Sequence, residues 1–130
     1  MFHSVAATVL FVRDLPTCLA FYRDTLGLQV TESTPERASF QMDNMYFLLL
    51  EVSAAAHMIG EEAKALTTEG GPRVLLAAGV RDVDTAYEAL RAKGATLLRP
   101  PANQPWGLRT AYFADPEGNL WEINQPIASE

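Results

Sequence analysis

The sequence predicts an α+β fold, two tandem β-α-β-β-β modules whose curved mixed sheets surround a cleft. Two observations lead there. Val12-Arg13-Asp14 followed by Thr17 returns as Val80-Arg81-Asp82 followed by Thr85, so two segments superpose with an offset of 68. Around each copy the apolar residues pass through the same succession of patterns: one strand, one helix, then three strands.

In the first copy an apolar stretch of strand type over 5–12 leads to Asp14, whose carboxylate suits a helix N-cap, and Pro16 is tolerated that early in a helix. Leu15, Cys18, Leu19, Tyr22 and Leu26 then recur at helical spacing, and Gly27 supplies a left-handed stop. Strands are predicted over 28–33, 37–42 and 45–52, the last two joined by the turn Asp43-Asn44. The segment 53–72, rich in Ala, Glu and Gly, reads as a linker carrying a short helix. In the second copy a strand over 74–80 leads to the N-cap Asp82, a helix marked by Val83, Ala86, Tyr87 and Leu90, and the stop Gly94. Strands over 95–99, 108–114 and 120–124 follow, with Asp115-Pro116-Glu117-Gly118-Asn119 turning between the last two. Module one thus spans about 4–52 and module two about 73–126, the two sharing a core in one domain over 1–130.

The bulk composition narrows the function. With 48% hydrophobic and 20% charged residues among 130, the chain is globular in type. The net charge is −6 and the ten Lys and Arg are scattered, so no basic stripe is available to a phosphate backbone and nucleic acid is not an expected partner. The single Cys18 cannot close an internal disulfide and lies on the apolar side of its helix, which fits packing and a reducing cytoplasm. No apolar run approaches the roughly 20 residues that span a bilayer, and Met1-Phe2-His3-Ser4 does not open a charged-then-apolar leader. A cytoplasmic protein with no membrane partner is expected.

A four-stranded module with one helix covers one face of its sheet and leaves the other to a partner module or a ligand. If 115–119 is a hairpin loop, Tyr112 lies opposite Glu122 and Thr110 opposite Asn124, all on that open face, while Trp121 and Ile123 point to the helices. A carboxylate between Trp121 and Ile123 is costly if buried unpaired, so Glu122 calls for a ligand, a donor or water. On the last strand of module one Phe47, Leu49 and Glu51 read as the matching face, with Glu51 solvated at the strand end. Trp106, held between Pro105 and Gly107, is placed to stack on a planar or cationic ligand or to lie as a lid on the core. Arg109 has the opposite parity and reads as a structural partner of Asp115 or another acid. The candidate ligand-binding residues are therefore Glu122, Tyr112, Trp106, Thr110, Phe47 and Glu51.

The repeat, the run from Asp14-Leu15 through Phe21-Tyr22 to Leu26-Gly27-Leu28, and the ending Asp115-Pro116-Glu117-Gly118-Asn119-Leu120-Trp121-Glu122 together resemble the glyoxalase, bleomycin-resistance and extradiol-dioxygenase (vicinal oxygen chelate) superfamily. The resemblance covers nearly the whole chain. It implies the fold above, a homodimer and, in metal-dependent members, ligands on the first and last strands of each module. Glu122, four places after Gly118, matches the last-strand carboxylate of module two. The first-strand positions fall at Ala7 and Leu75, which bind no metal, and the last strand of module one offers Leu49 or Glu51. His3 lies four residues before Ala7, about 13 Å along a strand at roughly 3.3 Å per residue, too far to replace it. His57, in the linker, reads as a surface histidine. Glu51 and Glu122 together would hold a divalent metal only weakly, because two carboxylates are a poor set for a tight transition-metal site.

The spacing of Tyr112, Asp115-Pro116, Glu117, Gly118 and Glu122 resembles the tail of the extradiol-dioxygenase signature, but Asn103, Gln104 and Pro105 stand where its histidine belongs. Ferrous oxygenation needs two histidines and a carboxylate, so catechol cleavage is disfavoured. The reading that follows is a small-molecule-binding protein, resistance-protein-like, with no cofactor assigned and a divalent metal left open. The alternatives are a metal-dependent isomerase or lyase with a rearranged ligand set, and a non-catalytic partner-binding protein.

Overall fold

Strand β1 (Ala7–Val12) enters the helix α1 (Leu15–Ala20) through Asp14, whose carboxylate accepts from Thr17 N at 3.1 Å and from Thr17 Oγ1 at 2.7 Å. These coordinates are a computed structural model that describes residues 3, 5–60 and 74–127. Beyond Ala20 the helix widens into a π-helical turn over Phe21–Thr25, closed by Leu26 N donating to Phe21 O at 3.0 Å. The widening has a cause in the sequence. Asp14 and Gly27 lie one residue further apart than Asp82 and Gly94, and a single inserted residue in a helix is absorbed as a π turn. Gly27 and Gly94, both at positive φ, end the two helices as expected.

The strands β2 (Val30–Ser33), β3 (Arg37–Phe40) and β4 (Tyr46–Glu51) complete a sheet of order β1-β4-β3-β2, in which β1 and β4 run parallel and the other pairs antiparallel. Helix α2 (Val52–Ile59) follows β4 directly, and is the short helix expected in the linker. The remainder of that linker, 61–72, lies outside the described residues. The second unit repeats the plan. Its elements are β5 (Leu75–Gly79), α3 (Val83–Ala92), β6 (Thr96–Asn103), β7 (Leu108–Ala114) and β8 (Leu120–Pro126), and its sheet order is β5-β8-β7-β6. Asp82 caps α3 by accepting from Thr85 N at 3.2 Å, as Asp14 does for α1.

The strand β6 departs from expectation by running on past 99 through Pro100 and Pro101. Proline cannot donate to a ladder, and it is tolerated here because β6 is an edge strand whose register to β7 shifts on both sides of Arg99. The chain divides into two compact units, Met1–Gly71 and Pro72–Glu130, and each has its own core between helix and sheet. In the first, Leu10, Val12, Leu15, Cys18, Tyr22, Phe40, Phe47 and Leu49 are buried. The Tyr22 ring lies 5.4 Å from Phe47 and 5.8 Å from Phe40. In the second, Val83, Tyr87, Leu90, Ala111, Phe113, Trp121 and Ile123 are buried, with Phe113 and Trp121 stacked at 6.1 Å. Among the described residues no helix is long and apolar enough to cross a membrane.

This packing corrects one expectation of parity. Phe47 is 1% exposed against the rings of Tyr22 and Phe40, so Phe47 and Leu49 face the helix and form core, not an open ligand face. Glu51 shares that parity and is also corrected: both its oxygens accept from Ser53 N, at 3.0 and 2.6 Å, and cap α2. The periodicity of β4 alone could not decide this, because apolar residues fill both faces of the strand.

Candidate functional site

The hairpin of β7 and β8 pairs Tyr112 with Glu122, Thr110 with Asn124 and Ala114 with Leu120. The parallel pair of β5 and β8 sets Ala77 beside Glu122 and Gly79 beside Asn124. On the far side Arg99 pairs with Tyr112 and Ala102 with Thr110. Since directly paired residues share a face, the side of this sheet opposite α3 carries two rows across its four strands. One runs Arg99, Tyr112, Glu122, Ala77, and the next runs Ala102, Thr110, Asn124, Gly79.

The turn that sets this register is held by Asp115, which is buried and accepts from Glu117 N at 2.9 Å, Asn119 N at 2.8 Å and Asn119 Nδ2 at 2.7 Å. Gly118 takes a positive φ of 85° within it, a conformation that favours glycine. Arg109, on the helix side of β7, donates to both oxygens of Asp84 at 2.8 Å and to Asn103 Oδ1 at 3.0 Å. Its partner acid is thus Asp84 on α3, and Asp115 is occupied by its own turn.

Polar groups on the open face form one chain. Tyr112 OH donates to Glu122 Oε1 at 2.8 Å, and Asn124 Nδ2 donates to Glu122 Oε2 at 2.6 Å. Gln104 Nε2 donates to Thr110 Oγ1 at 3.0 Å, and Thr110 in turn hydrogen-bonds Tyr112. The Thr110 hydroxyl is the largest single influence on the Tyr112 phenol and lowers its pKa. Desolvation, with the hydrogen bond to Glu122 and its charge, outweighs it and raises the phenol above its ordinary value. Glu122, Tyr112 and Asn124 are half-buried, Thr110 is buried, and every buried side-chain nitrogen or oxygen among the described residues has a partner.

Of the residues singled out from sequence, Glu122, Tyr112 and Thr110 come together here. Phe47 and Glu51 stand apart, in the helix-face core and at the cap of α2. Trp106 sits at the tip of the turn between β6 and β7, 63% exposed, outside this hydrogen-bonded chain. Gln104, two residues before it, is the member that sequence reasoning missed. Its signal was position alone: the loop closes through Gln104 N to Leu108 O at 2.7 Å, which points its amide back along β7 to Thr110.

A metal of the kind implied by the resemblance finds a poor donor set on this face. Glu122 pairs on β5 with Ala77, which offers no ligand atom, and the neighbouring rows add Leu75 and Gly79, which offer none either. The module-one counterpart of Glu122, matched through the register of β4 with β1, is Leu48 and neither Leu49 nor Glu51. Beside Leu48 stands Val9. His57 is exposed on α2, His3 is exposed, and no group of three His, Cys, Asp or Glu gathers among the described residues. These residues do not fit a transition-metal centre.

Comparison with known proteins is consistent with this geometry. The family described as Glyoxalase/Bleomycin resistance protein/Dioxygenase superfamily matches residues 4–123. The uncharacterized protein YraH of Bacillus subtilis is 37% identical over 117 residues, covering 88% of this chain and 91% of that one. A glyoxalase/bleomycin resistance protein/dioxygenase from Nocardioides superposes with a TM-score of 0.84 at 28% identity, covering 100% of this chain and 87% of its own. A glyoxalase-related enzyme from Fulvimarina pelagi does so with a TM-score of 0.80 at 30% identity, over 95% and 88% of the two chains.

Proposed function

The chain belongs to the glyoxalase/bleomycin resistance protein/dioxygenase superfamily, and from that premise we propose that it is a small-molecule-binding member whose ligand lies on the open face of module two. The observation that carries this reading is the Glu122 carboxylate, held at both oxygens by Tyr112 and Asn124 on a face that packs against no helix of its own unit. A carboxylate fixed in this way is a preorganised acceptor, and preorganisation is what lets a few polar groups orient a ligand on an otherwise apolar surface. Tyr112, Thr110 and Asn124 supply the neighbouring polar contacts, and Trp106 on its exposed turn is available to stack. The chain works as a homodimer in this reading, supported by Val9, Tyr46 and Leu75, which leave apolar surface exposed on the open sheet faces. Its setting is the cytoplasm, for which the single buried Cys18 is the support.

The test is a thermal-shift screen of the full chain against small molecules, repeated on Glu122→Gln. Ligands that stabilise the parent should lose their effect on the variant, while the unliganded variant stays within about 1 kcal/mol of the parent, as for other changes outside the core. A Glu122→Gln chain that melts far lower without any ligand would make the carboxylate part of a structural network and end the reading. Stoichiometric nickel, zinc or manganese in protein purified without chelator would end it as well.

A further inference from the structure

Beside Glu122 and Asn124 the open face of module two is stripped of side chains. The strand β5 presents Ala77 and Gly79 there, next to Glu122 and Asn124 respectively, and both are exposed. The equivalent strand of module one, aligned by the offset of 68, presents Val9 and Phe11. A Cβ added at Gly79 would meet only Asn124 Oδ1, at 4.0 Å, and the backbone of Gly79 is not in the left-handed region that would require glycine. The small residues therefore leave a recess that reaches the backbone of β5, with no conformational need for the missing side chain.

The atoms that border this recess are acceptors. A carboxylate can only accept, so Asn124 must present its NH2 group to Glu122, and its carbonyl oxygen is the atom turned toward Gly79. No donor among the described residues satisfies that oxygen. The strands β5 and β8, with sequences LLAAG and LWEINQP, contain no Lys or Arg to offset the Glu122 charge. Arg99 is the one cation in the row, and it stands on the far edge strand with β7 between it and Glu122. We infer that the recess over Ala77 and Gly79 takes the cationic, hydrogen-bond-donating end of a small molecule, a protonated amine, amidinium or guanidinium, with Glu122 and Asn124 Oδ1 as its two acceptors. Charge-assisted bonds to such a group are the strong ones, and the recess admits it only because residues 77 and 79 are small. This inference rests on the ligand-binding reading of the same face and names its specificity-determining residues.

The experiment follows backbone amide resonances of the 15N-labelled full chain while benzamidine, benzyl alcohol or benzoate is added at matched millimolar concentrations. Benzamidine should shift Ala77, Gly79, Glu122 and Asn124 saturably, benzyl alcohol should bind about tenfold more weakly or worse, and benzoate should leave these resonances in place. Ala77→Val, which installs the module-one residue, and Gly79→Ala, whose new methyl the backbone accepts, should each weaken benzamidine by about tenfold while the melt is unchanged. Benzyl alcohol or benzoate binding here as well as benzamidine overturns the inference and leaves the face a binding site. Benzamidine binding that ignores both substitutions overturns the recess. If none of the three probes moves these resonances the inference fails, and if a neutral fragment library also leaves the face silent the ligand-binding reading fails with it.

Discussion

On their helix sides the two modules are near copies. Phe40 and Phe47 of the first occupy the positions of Phe113 and Trp121 in the second, Ala38 that of Ala111, and Leu49 that of Ile123, and all are buried. On the other side they part. Where module two has Tyr112, Glu122, Asn124, Ala77 and Gly79, module one has Ser39, Leu48, Leu50, Val9 and Phe11. The helix face is under the same physical demand in both copies, since each must bury one side of a sheet against one helix, and it has kept its apolar pattern. The opposite face keeps no common pattern: it is polar beside the small Ala77 and Gly79 in one copy and mainly apolar in the other, where Val9, Phe11, Leu48 and Leu50 stand. Among the described residues the candidate site belongs to module two.

The largest effects are expected where the copies agree. Phe47→Ala and Phe113→Ala should each cost about 3–5 kcal/mol in chemical denaturation, as for other buried aromatics, and neither should alter ligand affinity of the folded fraction. A Phe47→Ala chain of near-parent stability that had lost its ligand would return Phe47 to the site and break the equivalence of the helix faces. The next largest effect lies where the copies differ. Glu122→Leu gives module two the residue of module one at that position. It should abolish binding while changing stability by no more than about 1 kcal/mol, because water can serve the half-exposed Tyr112 hydroxyl and Asn124 amide.

Acid should separate the modules by a smaller effect. Hydrogen bonds from the Thr17 hydroxyl and then its backbone N–H hold the Asp14 carboxyl below its ordinary pKa in module one, and the hydrogen bonds from Arg109 do the same for Asp84 in module two. Each contributes stability that is present above the unfolded carboxyl value near 3.9 and is lost as pH falls through its lower folded value. Carboxyl 13C titration should find both below the ordinary aspartate value, and Asp14→Asn and Asp84→Asn should each remove part of the acid dependence of the melt. The Asp84 contribution, an exposed ion pair, should also fade in high salt, and the Asp14 cap should not. Smallest of all is Tyr112→Phe. The raised phenol pKa means that its stabilising bond to Glu122 is intact below the ordinary value of about 10 and is lost as pH rises through the folded value. Ultraviolet titration of phenolate should lose, in the variant, a tyrosine that titrates above the ordinary value, with little change in the melt at neutral pH.

Local chemistry made much of this molecule legible in advance. The N-caps Asp14 and Asp82, the glycine stops and the turn from Asp115 to Asn119 act through neighbours a few residues away. Those residues announced both helices and the β7–β8 register that pairs Tyr112 with Glu122. The alternation of Trp121 and Ile123 with Glu122 and Asn124 was equally readable, because polar and apolar residues there take opposite faces. Strand β4, with Tyr46-Phe47-Leu48-Leu49-Leu50, has no such contrast. A period of two with apolar residues at every step leaves the face undecided, so only the rings of Tyr22 and Phe40 packing on Phe47 could assign it.

What the sequence determined by itself was the doubled β-α-β-β-β plan, the places where each helix starts and stops, and the face that carries Glu122, because each depends on residues close together in the chain. The tertiary structure decided the rest. It set Asn124 and Gln104 into the polar chain and paired Arg109 with Asp84. It aligned Ala77 and Gly79 with Glu122 and Asn124, and it placed Leu48 at the first-module position equivalent to Glu122. All of these are pairings between strands or between strand and helix. Their register is fixed by packing over the whole sheet, which no local pattern encodes.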